Sequence, residues 1–246
     1  MRKLLFFILL TGAITASAQN PRQQTTRYPG WGVLSGQIGL SENWSATIDI
    51  QERYDLASGN WLTQIYRPGI GRKMKNDFAW AAGLGYIRNF PVPNGKPPRP
   101  EWRPWQELSR KFKPGFGTIA TRIRTEERFI REYNGDELKP NSQFHSFRCR
   151  IRAEWFYPFS DPAEKGFHLS AGNEFFVATK PGWFTAFDQN RAYAGGGYRF
   201  SKSVSMQLHY LNLFQQINSV KSEMHHVIRF TTVIELKTYK QKAVNE

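Results

Sequence analysis

The chain has 246 residues, of which 34 are Lys or Arg and 20 are Asp or Glu, so its formal net charge is +14. A single cysteine excludes an intrachain disulfide and a cysteine metal cluster. The mean hydropathy of −0.56 resembles that of a soluble protein. A membrane barrel reaches the same value, because only alternate residues of its strands meet lipid.

The first 18 residues predict a secretory signal peptide. Arg2 and Lys3 precede an apolar segment over 4–14, and Ala16-Ser17-Ala18 supplies the small residues of a cleavage site after Ala18. The apolar segment is too short to span a bilayer, and no later stretch approaches 18 apolar residues. We therefore expect an exported chain with one domain over 19–246.

The rest of the chain alternates with a period of two, which is typical of β-strands with one apolar face. The range 117–130, for example, sets Ile119, Ile123 and Phe129 opposite Arg122 and Arg124. In chain order the predicted strands are 31–40, 43–53, 62–73, 77–89, 105–112, 117–130, 147–157, 167–175, 192–200, 204–210 and 228–236.

The connections between these strands alternate in length. Short ones fall at 41–42, 75–76, 113–116 and 201–203, and 160–165 is intermediate. Longer ones fall at 55–60, 91–101, 133–143, 178–186 and 216–224. This is the pattern of an outer-membrane β-barrel, with short periplasmic turns and longer external loops. Such barrels normally have an even strand count. We therefore predict a twelfth strand within 22–29 and keep ten strands as the alternative.

The fold class predicted is thus all-β, a single antiparallel up-and-down transmembrane barrel. The Pro-rich stretch over about 91–104 is interpreted as an external loop, because alternation continues on both sides of it. A soluble exported barrel, similar to a lipocalin, would alternate in the opposite sense. Two features favour the membrane barrel: aromatic residues near the strand ends, such as Trp44 and Tyr157, and Arg mixed with Glu on the polar faces.

The polar faces predict a charge ladder in the lumen. Because neighbouring strands bring directly opposed residues to ~4.5–5.5 Å, arginines and carboxylates should pair there. Arginines exceed glutamates in this ladder by seven to three. Its predicted members are Arg122, Arg124, Glu126, Arg128, Arg148, Arg150, Arg152, Glu154, Glu174, Gln189 and Arg191.

Several ordered motifs resemble those of a known family. They are Arg122-Ile-Arg124-Thr-Glu126-Glu-Arg128, Arg148-Cys-Arg150-Ile-Arg152, Asn173-Glu174-Phe175, then Gln189-Asn190-Arg191 with a Gly-rich strand, and a late Tyr210. Together they resemble the outer-membrane barrel family called domain of unknown function 2490, over roughly 31–236. The resemblance implies a Gram-negative outer membrane and a barrel fold. It implies no activity, so it carries no catalytic residue to this chain.

The ladder can have two roles: bracing the lumen, or binding and passing small anionic solutes in a porin-like way. A different class is a lipid-modifying barrel enzyme, which needs Ser and His together near a rim. The pairs within one strand or segment are His145 with Ser146, His168 with Ser170, and His209 with Ser205. The first pair should point to opposite faces, and the other two lie too far apart. We therefore predict a protein that is not an enzyme.

The expected surroundings follow from the outer-membrane prediction. The partners are outer-membrane lipid, the barrel-assembly machinery during biogenesis and a small anionic solute. Nucleic acid is not expected, because the positive charge lies on faces predicted to line the lumen. No cofactor and no metal are predicted, since the adjacent His225 and His226 should diverge and no third ligand is spaced to join them. Gly195-Gly196-Gly197 indicates close packing rather than a phosphate loop, and Cys149 falls on the lipid-facing side.

Overall fold

The computed structural model describes residues 23–91, 96–161, 164–180, 183–218 and 220–239. The predicted signal peptide and its cleavage site lie outside these residues. The strands are β1 Gln23–Arg27, β2 Pro29–Gly39, β3 Trp44–Asp55, β4 Trp61–Lys73, β5 Phe78–Asn89, β6 Arg99–Phe112, β7 Thr118–Asn134, β8 Glu137–Pro158, β9 Gly166–Lys180, β10 Trp183–Arg199, β11 Val204–Gln216 and β12 Lys221–Lys237.

The strands form one sheet that closes on itself. From β2 to β12 each strand pairs antiparallel with the next. The barrel then closes through a parallel pairing of β12 with β2, which runs from Ile228↔Gly30 to Lys237↔Gly39. Parallel closure is required here, because an odd number of up-and-down strands leaves the first and the last pointing the same way. The all-β barrel prediction is confirmed.

The predicted twelfth strand is present, but it is not a twelfth crossing of the barrel. β1 pairs parallel with the start of β12, and β2 continues that pairing at the same offset, from Arg27↔His225 to Gly30↔Ile228. The break between them falls at Tyr28 and Pro29, and a proline has no N–H for the ladder. Eleven strands therefore close the barrel, and the expectation of an even number of crossings was wrong.

One end of the barrel carries the short turns after β2, β4, β6, β8 and β10, as predicted. At the other end, three predicted long loops are shorter than expected. The range 133–143 is mostly strand, because Gly135 and Asp136 form a two-residue turn in which Gly135 takes a positive φ of 62°. β9 extends to Lys180 and β10 begins at Trp183, within the predicted loop 178–186. β12 begins at Lys221.

The Pro-rich range 91–104 is only partly a loop, because β6 begins at Arg99. Two backbone ladders in this part of the barrel are interrupted at prolines. Pairing of β4 with β5 skips Arg67 and Pro68, and pairing of β6 with β7 skips Arg103 and Pro104. Each interruption includes a residue that cannot donate a backbone hydrogen bond.

The two faces of the wall differ as the period of two predicts. Large apolar side chains are exposed on the outer face of the barrel, including Leu34, Ile48, Leu84, Ile123, Ile151, Leu169, Leu208 and Phe230. The inner face carries the buried residues, among which arginines and carboxylates are frequent. This sense is opposite to that of a soluble barrel, which buries its apolar face. No helix in the described part of the chain is long and apolar enough to cross a membrane.

Candidate functional site

A network of arginines and glutamates fills the lumen, and Glu126 on β7 lies at its centre. The Glu126 side chain is fully buried. Its Oε2 accepts hydrogen bonds from Nε and Nη2 of Arg148 at 2.9 and 2.6 Å, and its Oε1 accepts one from Nη1 of Arg150 at 2.8 Å. These arginines come from β8, the neighbouring strand, so the contact follows from register alone.

Glu174 on β9 continues the network. Its carboxylate accepts hydrogen bonds from Arg150 at 2.9 Å and from Arg122 at 2.6 Å, and Arg191 lies 3.7 Å away. Arg150 therefore bridges Glu126 and Glu174. Buried ions require such paired, multiply hydrogen-bonded geometry, because an isolated charge is costly to remove from water.

Two further glutamates of the network, Glu101 and Glu107, lie on β6, and the sequence analysis did not predict them as ladder residues. Glu101 is fully buried and accepts hydrogen bonds from Arg103 and Arg128 at 2.6 and 2.7 Å. Glu107 accepts one from Nε of Arg124 at 2.7 Å. The Pro-rich interpretation hid Glu101 and Arg103. Glu101 and Arg103 fall at every second position in line with Trp105 and Glu107, and this period of two was the signal that could have identified them.

Aromatic rings separate some of the guanidinium groups. The Cζ atoms of Arg53 and Arg191 lie 3.9 and 5.3 Å from the ring centroid of Trp31. Arg150 and Arg191 lie 4.7 and 4.4 Å from that of Phe176. Stacking of this kind uses the planar, weakly hydrated guanidinium group. Stacking on these rings allows several positively charged guanidinium groups to lie close together in the lumen.

The wall formed by β3 and β4 carries two inward arginines, Arg53 and Arg67, and Asp49 is the carboxylate directly opposite Arg67 in the ladder. Arg67 is buried, at 4% exposure, and within the described ranges its side chain has neither a hydrogen bond nor an ion pair; its Nε is buried and unpartnered. Arg53 donates only to Oε1 of Gln51, at 2.6 Å, and its Nε is likewise unpartnered. On this side, two arginines thus face one carboxylate, Asp49, and neither guanidinium group forms an ion pair in the described part of the chain.

The predicted ladder residues all lie on the inner face. Buried members are Arg124, Glu126, Arg148, Arg150, Glu174, Gln189 and Arg191, and half-buried ones are Arg122, Arg128, Arg152 and Glu154. Gln189 accepts a hydrogen bond from Arg191 at 2.8 Å, and Glu154 accepts one from the hydroxyl of Tyr193 at 2.7 Å. The inward residues that the sequence did not single out include Trp31, Arg53, Arg67, Asp188, Tyr193 and Arg229.

The serine and histidine residues in contact are not one of the pairs considered from the sequence. His145 is exposed and Ser146 is buried, so they do point to opposite faces. Across strands, however, Oγ of Ser170 lies 2.6 Å from Nε2 of His209. Both are buried, and Nδ1 of His209 has no partner in the described part of the chain. This contact spans β9 to β11, which no spacing within one strand could predict.

The remaining polar candidates do not converge. Nε2 of His225 lies 2.8 Å from Glu223, whereas Nδ1 of His226 lies 2.6 Å from the hydroxyl of Tyr210, whose side chain is on the outer face. The two histidines therefore diverge. Among the described residues, no group of three His, Cys, Asp or Glu could hold a metal ion.

Comparisons with known proteins identify a family and distantly similar structures. A family model described as "Protein of unknown function (DUF2490)" matches residues 29–224. No curated protein sequence matches the chain. The β domain of the Bordetella autotransporter BrkA is 9% identical, with a TM-score of 0.43, over 70% of this chain and 78% of that one. OmpT, an outer-membrane protein of Vibrio cholerae, is 14% identical, with a TM-score of 0.40, over 75% and 60%.

Proposed function

Because the chain belongs to the DUF2490 family of proteins of unknown function, we propose a function from the lumen itself: a narrow outer-membrane barrel that binds or passes small anionic solutes. The match of the family model over residues 29–224 confirms the family resemblance inferred from the charge motifs. The observation that carries the proposal is the pair Arg53 and Arg67, whose guanidinium groups form no ion pair among the described residues although Arg67 is buried.

The membrane placement is supported by the outer face of the barrel. Monomeric soluble proteins rarely expose apolar patches larger than a few hundred Å², yet here large apolar side chains are exposed on the described length of β2 to β12. Each closing strand has 11 to 22 residues, enough for the ~9–11 that a tilted strand needs to cross a bilayer. Insertion of such a barrel would require the barrel-assembly machinery.

The anion preference is supported by the distribution of charge. Glu101, Glu107, Glu126, Glu154 and Glu174 come from β6 to β9, so they compensate the arginines of that side. Arg53 and Arg67 lie on β3 and β4, where the carboxylate opposite them is Asp49 alone in the register of the two strands. A small oxyanion could accept two hydrogen bonds from either planar guanidinium group. The tightly paired remainder of the lumen would keep the passage narrow.

A conductance experiment tests this proposal. Planar bilayers with a salt gradient should show small conductance and a reversal potential that indicates anion preference. Arg67→Gln should weaken that preference, while Arg72→Gln, on the outer face of the same strand, should not. Cation preference would contradict the proposal, as would a silent barrel that also fails to bind inorganic phosphate in a calorimetric titration.

Localisation has its own test. Membrane fractionation should recover the protein in the outer membrane, and the unheated protein should migrate differently from the boiled one on a gel, as closed barrels do. Recovery in the soluble periplasmic fraction would contradict the membrane placement.

One observation favours a second candidate, a lipid-modifying hydrolase: the 2.6 Å contact of Ser170 with His209. Nucleophile and base must be within such reach. Against it, both side chains are almost fully buried, and no carboxylate orients Nδ1 of His209 in the described ranges. We therefore expect a serine-directed fluorophosphonate probe to leave the folded protein unlabelled. Labelling that Ser170→Ala abolishes would favour the enzyme.

A further inference from the structure

Two arginines point outward at the end of the barrel that carries the short turns. Arg72 on β4 follows the exposed Ile70 by two residues, and Arg110 on β6 follows the exposed Leu108 by two. Residues two apart on a strand share a face. Arg72 and Arg110 therefore lie at the edge of the apolar outer face, next to the short turns.

Aromatic rings hold these side chains against the wall. The Cζ atom of Arg72 lies 5.3 Å from the ring centroid of Trp44. That of Arg110 lies 4.8 Å from the ring of Phe78 and 4.6 Å from the ring of Phe112. Rings of this kind suit the boundary between hydrocarbon and headgroups, where arginine extends its charged end toward water.

No protein carboxylate neutralises either arginine. Across the described ranges the guanidinium groups of Arg72 and Arg110 have no ion pair and no hydrogen bond, and Nε of Arg110 is buried without a partner. The outward-facing Arg88 near the opposite end differs, because its Nη1 donates to Oε1 of Gln64 at 3.0 Å. The terminal guanidinium nitrogens of Arg72 and Arg110 are therefore available to a ligand.

The surrounding charge favours an anion. Lys73, Lys75, Lys111 and Lys113 lie at the same end of β4 to β7, and Asp77 is the one acidic residue among the adjoining turn residues 74–77 and 113–117. Clusters of basic residues at a membrane surface attract anionic lipid. By strand geometry the Cα atoms of Arg72 and Arg110 are about 12 Å apart, so two long side chains can reach toward one lipid molecule.

We propose that Arg72 and Arg110 form a site for the phosphate of an anionic glycerophospholipid. The site rests on the membrane placement proposed above, and it is independent of what the lumen carries. Short turns of outer-membrane barrels face the periplasm, so the lipid belongs to the periplasmic leaflet. The arginine fork offers two parallel donors to a phosphate, which a lysine cannot reproduce.

Competition between two lipids tests this site. The full-length barrel in neutral detergent is mixed with equal amounts of phosphatidylglycerol and phosphatidylcholine, and the retained lipid is identified by native mass spectrometry. We expect phosphatidylglycerol to be retained preferentially. The double variant Arg72→Gln/Arg110→Gln should lose this preference at least threefold, whereas the matched control Arg88→Gln should keep it.

The outcomes separate this site from the membrane placement. A barrel that does not insert into phosphatidylcholine vesicles would contradict the placement. An inserted barrel that retains both lipids equally, or that loses its preference equally in Arg88→Gln, would overturn the site alone. If the double variant does not show the gel shift of a folded barrel, the single variant Arg72→Gln, whose side chain is exposed, decides: an unchanged preference there overturns the site.

Discussion

At the scale of single residues, the lumen is held together by shared partners. Arg150 contacts both Glu126 and Glu174, and Glu126 contacts both Arg148 and Arg150. Removing one member of such a group leaves the other charges buried without compensation, which costs more than the pair itself contributes. The network therefore makes the inner wall sensitive to isosteric changes that the outer wall should tolerate.

The variant Glu126→Gln tests this sensitivity. It leaves Arg148 and Arg150 without their central carboxylate, so we expect a loss of about 3–5 kcal/mol in the free energy of unfolding. Denaturant titration of the refolded barrel in detergent measures it. The control is Glu127→Gln, one residue along β7, whose side chain is 57% exposed and should cost under about 1 kcal/mol. Equal midpoints for the two variants would argue against a buried network.

The sequence predicted the inner residues of β7 and β8 because their alternation is uninterrupted. It could not predict Glu101 and Arg103, since the prolines around them indicated a loop, nor the pair Ser170 and His209, which depends on the register of three strands. The period of two assigns each residue to a face. It does not say which residues of that face meet.

At the scale of elements, glycines on a middle strand let side chains reach across it. Gly195 lies between Ser170 and His209, and a Cβ there would approach the carbonyl oxygen of Leu208 to 2.1 Å. Gly172 stands in the same way between Glu154 and Tyr193. The close packing expected of the Gly-rich strand is therefore present, and it serves contacts between strands that are not neighbours.

We expect Gly195→Ala to disturb the barrel and its neighbour Gly196→Ala to be tolerated. The first places a methyl group against the backbone of β11 and the ring of His209, whereas the second meets nothing closer than the carbonyl oxygen of His168 at 3.2 Å. Overpacking of this kind typically costs ~1–3 kcal/mol. The heat-modifiable fraction on a gel and the unfolding midpoint measure the difference, and identical behaviour would show that the wall relaxes freely at Gly195.

Strand positions followed from the sequence more closely than strand lengths did. The predicted range 117–130 became Thr118–Asn134, and 147–157 became Glu137–Pro158. The added residues belong to a hairpin that extends beyond the barrel, where Lys96 pairs with Asp136 at 3.1 Å and the hydroxyl of Tyr133 donates to the carbonyl of Pro97 at 2.6 Å. Outside a bilayer neither face must be apolar, so alternation weakens there and no longer marks the strand.

At the scale of the whole molecule, the number of crossings was the feature that the sequence left most open. Eleven alternating segments were visible, and the usual even count argued for another crossing. The structure instead closes through the parallel pairing of β2 with β12. Apolar and polar residues alternate along a strand whether its neighbour is parallel or antiparallel. The pattern of a strand therefore does not reveal which kind of neighbour it has.

In the proposed membrane placement, the parallel closure puts the two ends of the domain on opposite sides of the bilayer. β2 and β12 both run toward the short turns, so Gln23 lies beside Val220 at the end opposite to Tyr239. An epitope inserted just before Gln23 should therefore be reached by antibodies on intact cells, while one placed after Tyr239 should require permeabilised cells. Staining of the leading epitope in permeabilised cells alone would mean that the start of the domain does not pass to the cell exterior. An even-numbered barrel would leave both ends inside. With the short turns on the periplasmic side, as proposed above, the leading segment of this chain would itself be translocated during assembly.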